Sequence, residues 1–165
     1  MEKIQKTREK LLQSVRSLSN EQLNAVPEEG KWSIAQVLEH LYLMEMNTVD
    51  GILETLSKDE YNPTEEKPLY HILDRTVKRV APDDLTPSEK FQTLEELIQK
   101  LEKSREALLQ SIEGVSEEDL EQKSFIHRRY GLLSIRQWVS LIGYHEERHL
   151  QQIEEIKGTL LKKVN

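Results

Sequence analysis

At 165 residues the chain is long enough to bury a self-supporting core, and a single domain over residues 1–165 is expected. It holds no cysteine, which excludes disulfides, a thiol nucleophile and thiolate metal sites and leaves His and carboxylates as ligands for any transition metal. With a formal charge of −7 and basic residues scattered among acidic ones, the sequence predicts no field that gathers phosphate backbones, so no nucleic acid partner is expected. The charged Met1-Glu2-Lys3 opening and the lack of a long apolar window predict no membrane span and a cytoplasmic location.

The first segment spaces Ile4, Leu11, Leu12, Val15 and Leu18 three and four residues apart among charged residues, which predicts an amphipathic helix. After a polar stretch with Pro27 and Gly30, Ser33 and Gln36 form a capping box that opens a second helix running to about Ser57. Four of the five prolines then fall between Ser57 and Gln92. This predicts a long connection in which only Leu69 to Val80 is patterned for a short helix. Thr93 and Glu96 open a third helix, which Gly114 stops. Ser134 and Gln137 open a fourth, with Trp138, Leu141, Ile142, His145, His149, Ile153 and Ile156 on one face until Gly158. Strand-like alternation is not evident anywhere.

The run REKLLQSVRSLSNEQL from Arg8 matches REALLQSIEGVSEEDL from Arg105 at nine of sixteen positions. The echo returns at Ser33-Ile34-Ala35-Gln36 and Ser134-Ile135-Arg136-Gln137. Two duplicated helix pairs joined by the Pro-rich crossover account for both, and they let helices two and four face one site between them. The expected fold class is therefore all-α, a four-helix bundle.

In helix four, His145 and His149 are four residues apart and share the inward face, the spacing that brings two imidazoles to one metal or, alternatively, to buried hydrogen-bond partners. Residues 145–149 also match the zinc-protease pattern H-E-x-x-H, but the rest of that pattern fails: residue 152 is Gln, and no sheet edge is expected on which a peptide could lie. His40 on helix two lies about 100° from the centre of its apolar stripe, at the edge, in line with Met44, Asn47 and Gly51. Periodicity alone leaves it either bordering a pocket or on an exposed flank. Glu39, Glu146 and Glu147 are near in sequence, yet none points along the ligand direction. His71 and His127 read as solvated loop residues. His127-Arg128-Arg129 is the one local cluster of positive charge, able to bind an anionic substrate if it borders the site.

The stretch K-W-S-I-A-Q-V-L-E-H from Lys31 to His40, followed by H-E-E-R-H-L-Q-Q-I from His145, resembles the DinB superfamily over nearly the whole chain. The resemblance implies an up-down-down-up bundle with a long crossover between helices two and three, a homodimer, and His40, His145 and His149 as ligands of a divalent metal with its other positions open. Zinc or nickel are the foremost expectations, with iron(II), cobalt or manganese as further occupants. Members of the superfamily include bacillithiol and mycothiol S-transferases and metal-dependent hydrolases. The resemblance thus implies a metal-dependent transferase or hydrolase acting on a small-molecule substrate such as a low-molecular-weight thiol. The alternative is a non-catalytic stress-related binding or scaffold module with a structural or vestigial metal site. A fourth protein ligand such as His71 or Asp74 would favour that alternative.

Overall fold

The computed structural model describes residues 1–164. In chain order its helices and strands are α1 (Glu2–Val15), α2 (Asn20–Asn24), α3 (Ile34–Leu56), α4 (Leu94–Ile112), α5 (Glu117–Gln122), β1 (Ser124–His127), β2 (Gly131–Ser134) and α6 (Ile135–Val164). The four long helices are the four that periodicity predicts, and the expected capping boxes form. Ser33 and Thr93 each accept from the backbone of the third helical residue, Gln36 and Glu96, whose side chains accept in return. Ser134 and Gln137 make the same reciprocal pair at the start of α6. Gly114 follows α4 with a φ of +73°, a conformation that residues with a Cβ rarely adopt, and so ends the helix.

Contacts between helices fix their directions. Arg8 on α1 reaches the Leu101 carbonyl on α4 and Arg105 reaches the Ile4 carbonyl, so α1 and α4 are antiparallel. Lys3 meets Tyr144, and Ser14 meets Glu154 and Lys157, so α1 and α6 are parallel. Glu39 at the start of α3 binds Gln92 just before α4, and Glu45 binds Arg105 further along, so α3 and α4 are parallel. This is the up-down-down-up order, with the chain of residues 57–93 returning from the end of α3 to the start of α4.

Three expectations are corrected. The crossover forms only single turns of 3-10 helix at Leu69–Leu73 and Asp83–Leu85 in place of a helix over Leu69 to Val80, because its prolines and short apolar pattern cannot sustain one. A two-stranded antiparallel hairpin occupies Ser124–Ser134, pairing Phe125 with Leu133 and Ile126 with Leu132. The last helix runs through Gly158 to Val164, since one glycine inside a helix costs only about 1 kcal/mol.

The hairpin docks by one close approach. Phe125 stacks on Trp138 with ring centroids 4.4 Å apart, and its ring edge lies where a Cβ on Gly51 would sit, 2.3 Å away. Only glycine leaves room for that ring on α3.

The core has two apolar halves, one around Ile52, Leu108, Leu133 and Leu141 and the other around Leu11, Leu38, Leu97 and Ile153. Between them lies a buried charge cluster. Arg8 Nη2 donates to Glu45 Oε1 (2.9 Å) and Glu146 Oε1 (2.7 Å), Arg105 Nε donates to Glu45 Oε2 (2.7 Å), and Arg105 Nη2 also reaches Glu146. Its members follow the internal repeat. Arg8 and Arg105 open the two matching runs, and Glu45 and Glu146 each lie twelve residues after an equivalent cap serine, Ser33 or Ser134.

Candidate metal centre

The three histidines that the sequence singles out converge. His145 and His149, one turn apart on α6, present their Nε2 atoms to each other at 3.1 Å, and His40 on the antiparallel α3 places its Nε2 3.2 Å from that of His145. All three are at least nine-tenths buried. His40 is thus inside the bundle although its wheel direction puts it at the edge of the apolar stripe. The crossover, which helical periodicity does not see, covers that flank with Leu85, and Trp32 packs its indole 5.1 Å from the His40 ring.

Hydrogen bonds set the ring orientations. His40 Nδ1 donates to the Leu85 carbonyl (2.7 Å) and His149 Nδ1 donates to Gln152 Oε1 (2.7 Å), so in both rings Nε2 is the bare lone pair. Both lone pairs face His145 Nε2, which can supply at most one proton between them. A cation among the three nitrogens resolves this conflict. The observed edges also match the roughly 3.3 Å between nitrogens that tetrahedral bonds of about 2.0–2.1 Å give. The donors therefore fit a divalent ion, with Leu85 and Gln152 as the outer partners that orient ligating imidazoles.

The protonation states agree with that chemistry. Burial, reinforced by the neighbouring histidines, pushes His145 well below the ordinary imidazole value. Burial and the nearby His40 push His149 down to about 3 despite the Gln152 hydrogen bond. Burial also lowers His40, against the bond to Leu85. Neutral imidazole is the form that ligates.

No fourth protein ligand joins the group among the described residues. His71 is exposed beside Tyr70, and the Asp74 carboxylate is engaged with the backbone and hydroxyl of Thr76. The carboxylates nearest in sequence are also committed elsewhere. Glu146 is held in the buried charge cluster, and Glu39 accepts from the Ser88 backbone (2.8 Å) and Gln92 Nε2 (2.9 Å). The H-E-x-x-H match is thereby resolved: its Glu points into the core and is no general base. Arg8 and Arg105, its partners, carry a signal that the repeat contains but that helical periodicity passes over, since both lie on buried helix faces, Arg8 beside Ile4, Leu11 and Val15 and Arg105 beside Leu101 and Leu108.

The histidines form the floor of a cavity of about 750 Å³. Its wall combines Trp32, Met44, Asn47, Ile72 and Trp138 with seven basic side chains and only three acidic ones, Glu28, Asp84 and Glu155. Basic residues scattered in the sequence are therefore concentrated by the fold at one mouth. Arg128 and Arg129 do border it. His127 corrects the sequence reading, because it is a half-buried strand residue on β1 and not a solvated loop residue. Its Nδ1 accepts from the backbone of Arg129 (3.0 Å) and Tyr130 (3.2 Å). Burial, together with Arg79, Arg129 and Arg128, lowers it to about 4.

Arg148, between His145 and His149 on α6, ties the crossover over the site by donating to the carbonyls of Ile72 (2.7 Å), Asp74 (3.0 Å) and Val77 (3.1 Å). No helix among the described residues is long and apolar enough to cross a membrane.

The chain is similar to several known proteins. The chain is 38% identical over 143 residues to the uncharacterized protein YuaE of Bacillus subtilis (strain 168), covering 87% of this chain and 88% of that protein. It is 29% identical over 145 residues to "Putative metal-dependent hydrolase OB0413" of Oceanobacillus iheyensis, covering 88% and 76% of the two chains. Among solved structures, the four-helix bundle protein TT2238 superposes with a TM-score of 0.61 at 21% identity, over 93% of this chain and 94% of that one. YfiT from Bacillus subtilis, described as "a probable metal-dependent hydrolase with an unusual four-helix bundle topology", gives 0.63 at 17% identity over 96% and 84%. These two establish the likeness of fold. The family model described as the DinB superfamily matches residues 3–153, a span that contains the three capping boxes of the long helices, the crossover and all three histidines, and the chain belongs to that superfamily.

Proposed function

We propose that this protein is a metal-dependent enzyme acting on a small molecule, with His40, His145 and His149 as the ligands of a divalent ion and thiol transfer as the reaction class. The observation that carries the reading is the convergence of three neutral imidazole nitrogens, two with their lone pairs already aimed inward, beneath an accessible cavity. Three ligands leave coordination positions open, which is the arrangement of catalytic rather than structural sites. A divalent ion held there supplies a Lewis acid that favours the anionic form of a thiol or water near neutral pH.

The chain's own groups position and exclude. Leu85 and Gln152 fix the two ring orientations, Trp32 and Trp138 give the cavity apolar walls, and Arg148 fastens the crossover over it. The absence of a free carboxylate beside the three imidazoles among the described residues favours thiol transfer, in which the substrate brings its own nucleophile and no protein base is needed. Hydrolysis is the second reading, and the name of the Oceanobacillus relative favours it.

The test is to load the purified protein with zinc or nickel and offer low-molecular-weight thiols with an electrophilic acceptor, beside a panel of ester and amide substrates. Thiol adducts that form with the loaded wild type and not with His145→Ala support the transferase. Metal-dependent hydrolysis without thiol consumption replaces it with the second reading. A loaded protein inert in both assays leaves a binding module.

A further inference from the structure

Three guanidiniums near the histidines have no carboxylate partner. Of the arginines at the cavity, Arg75 is paired with Glu155 (2.5 Å) and Arg148 is consumed by three carbonyls. Arg79 from the crossover and Arg128 and Arg129 from the hairpin make no ion pair among the described residues. A second, smaller cavity of about 360 Å³ adjoins, sharing Arg79 and Arg129 with the large one and adding Tyr130, His71, Val77 and Asp74. Two of the residues that line it carry buried donors without partners, Arg79 Nε and the Tyr130 hydroxyl. Buried N–H and O–H groups without partners are rare in folded proteins, since each costs about 1–3 kcal/mol.

Asp74 is the one carboxylate lining this small cavity, and its acceptor Oδ1 is occupied by Thr76. Like charges crowd the region: Arg75, Arg79, Arg128, Arg129 and Arg148 all line the adjoining large cavity. Planar guanidiniums and a phenol offer donors in the fork geometry that carboxylates and phosphates accept, and an anion there would relieve both the unpaired donors and the repulsion.

We propose that Arg79, Arg129 and Tyr130 form an oxyanion-binding subsite that holds a phosphate or carboxylate group of the molecule whose reacting atom lies at the three histidines. The inference rests on the reading of the histidines as the reaction centre, but the subsite itself is built from different residues on different elements, so the two can fail separately. The crossover and the hairpin each supply one arginine, so anion binding also ties together the two segments that enclose the cavity.

The test is isothermal titration of zinc-loaded protein with inorganic phosphate and with succinate, at an ionic strength held constant with sodium chloride. Saturable binding of either anion is expected, and the tighter one identifies the group. Arg79→Gln and Arg129→Gln should each weaken it about tenfold or more, Tyr130→Phe should weaken it less, and all three should retain their zinc. His145→Ala should lose zinc and still bind the anion, which separates this subsite from the metal reading. Wild-type protein that takes up zinc and binds neither anion, or variants that bind like wild type, would overturn the proposal. Tyr130→Phe, which removes a single oxygen, keeps the test decisive if an arginine variant does not fold.

Discussion

The Arg8–Glu45–Arg105–Glu146 cluster draws one residue from each of α1, α3, α4 and α6, and the His40–His145–His149 cluster uses α3 and α6 alone, with Glu146 next to His145 in sequence, yet they are built on opposite terms. In the first, two cations face two carboxylates, every side chain is at least nine-tenths buried, and only Arg8 Nε and Glu146 Oε2 lack a partner. Its charges cancel internally and none of its members lines either of the two cavities described above. In the second, neutral nitrogens converge with their lone pairs facing one another, under a mouth with more cations than anions. Burial of polar groups therefore does not by itself mark a functional site. Whether the groups offset one another does: the charge cluster balances its two cations with two carboxylates, whereas the histidine lone pairs face one another.

The repeat explains how the contrast arose. Arg8 pairs with Arg105 and Glu45 with Glu146 under the repeat, so the charge cluster is close to two-fold symmetric. The residues equivalent to His145 and His149 are Met44 and Thr48, and the residue equivalent to His40 is Leu141. The symmetric positions hold the halves together, and the asymmetric ones make the site.

The largest expected effect comes from breaking the closed cluster. Arg105→Ala leaves Glu45 and Glu146 under-compensated and should destabilise the fold by about 3–5 kcal/mol, read from urea unfolding, whereas His145→Ala in metal-free protein should change stability far less. Equal losses in the two variants would erase the distinction between them.

A second contrast is in pH. The folded imidazoles of His145 and His149 stay neutral well below 6.5, His149 down to about 3, while unfolded histidine takes up a proton below about 6.5. The unfolded state then binds more protons, so stability is full above about pH 6.5 and falls as the pH drops toward 3. The slope is about 1.4 kcal/mol per unit for each such imidazole. Urea midpoints of chelated protein between pH 7 and 5 should show this fall, and the double variant His145→Ala/His149→Ala should make it shallower, leaving the part due to His40 and His127.

A smaller effect is expected at an outer partner. Gln152→Leu removes the acceptor that orients His149 and should lower metal affinity about 10–100-fold by competition with a chromogenic chelator, with little change in folding. The smallest concerns the hairpin: Gly51→Ala pushes a methyl into the Phe125 ring and should cost about 1–3 kcal/mol, seen as faster amide exchange in β1 and β2 while the metal stays bound.

Much of this was legible in the sequence, because helical period and capping chemistry are local. Three of the four long helices start at the predicted Ser33, Thr93 and Ser134, and the histidine triad follows from spacing and family resemblance together. What escaped depends on distant partners. His40 is buried by a crossover that has no period of its own, and the hairpin strands are four residues each, too short for alternation to register, and rely on a glycine more than seventy residues away. His127 acquires its setting from that same hairpin. The ion pairs of Arg8 and Arg105 with Glu45 and Glu146 join four separate helices and carry no local sequence signal beyond the repeat.

The most direct measurement is the metal content of untagged, dialysed protein by elemental mass spectrometry, beside His40→Ala and His145→Ala. About one divalent ion per chain in the wild type and little in either variant is the predicted result. A wild type that carries no metal and takes up neither zinc nor nickel would contradict the account, and would mean that the three imidazoles are reconciled by hydrogen bonding alone.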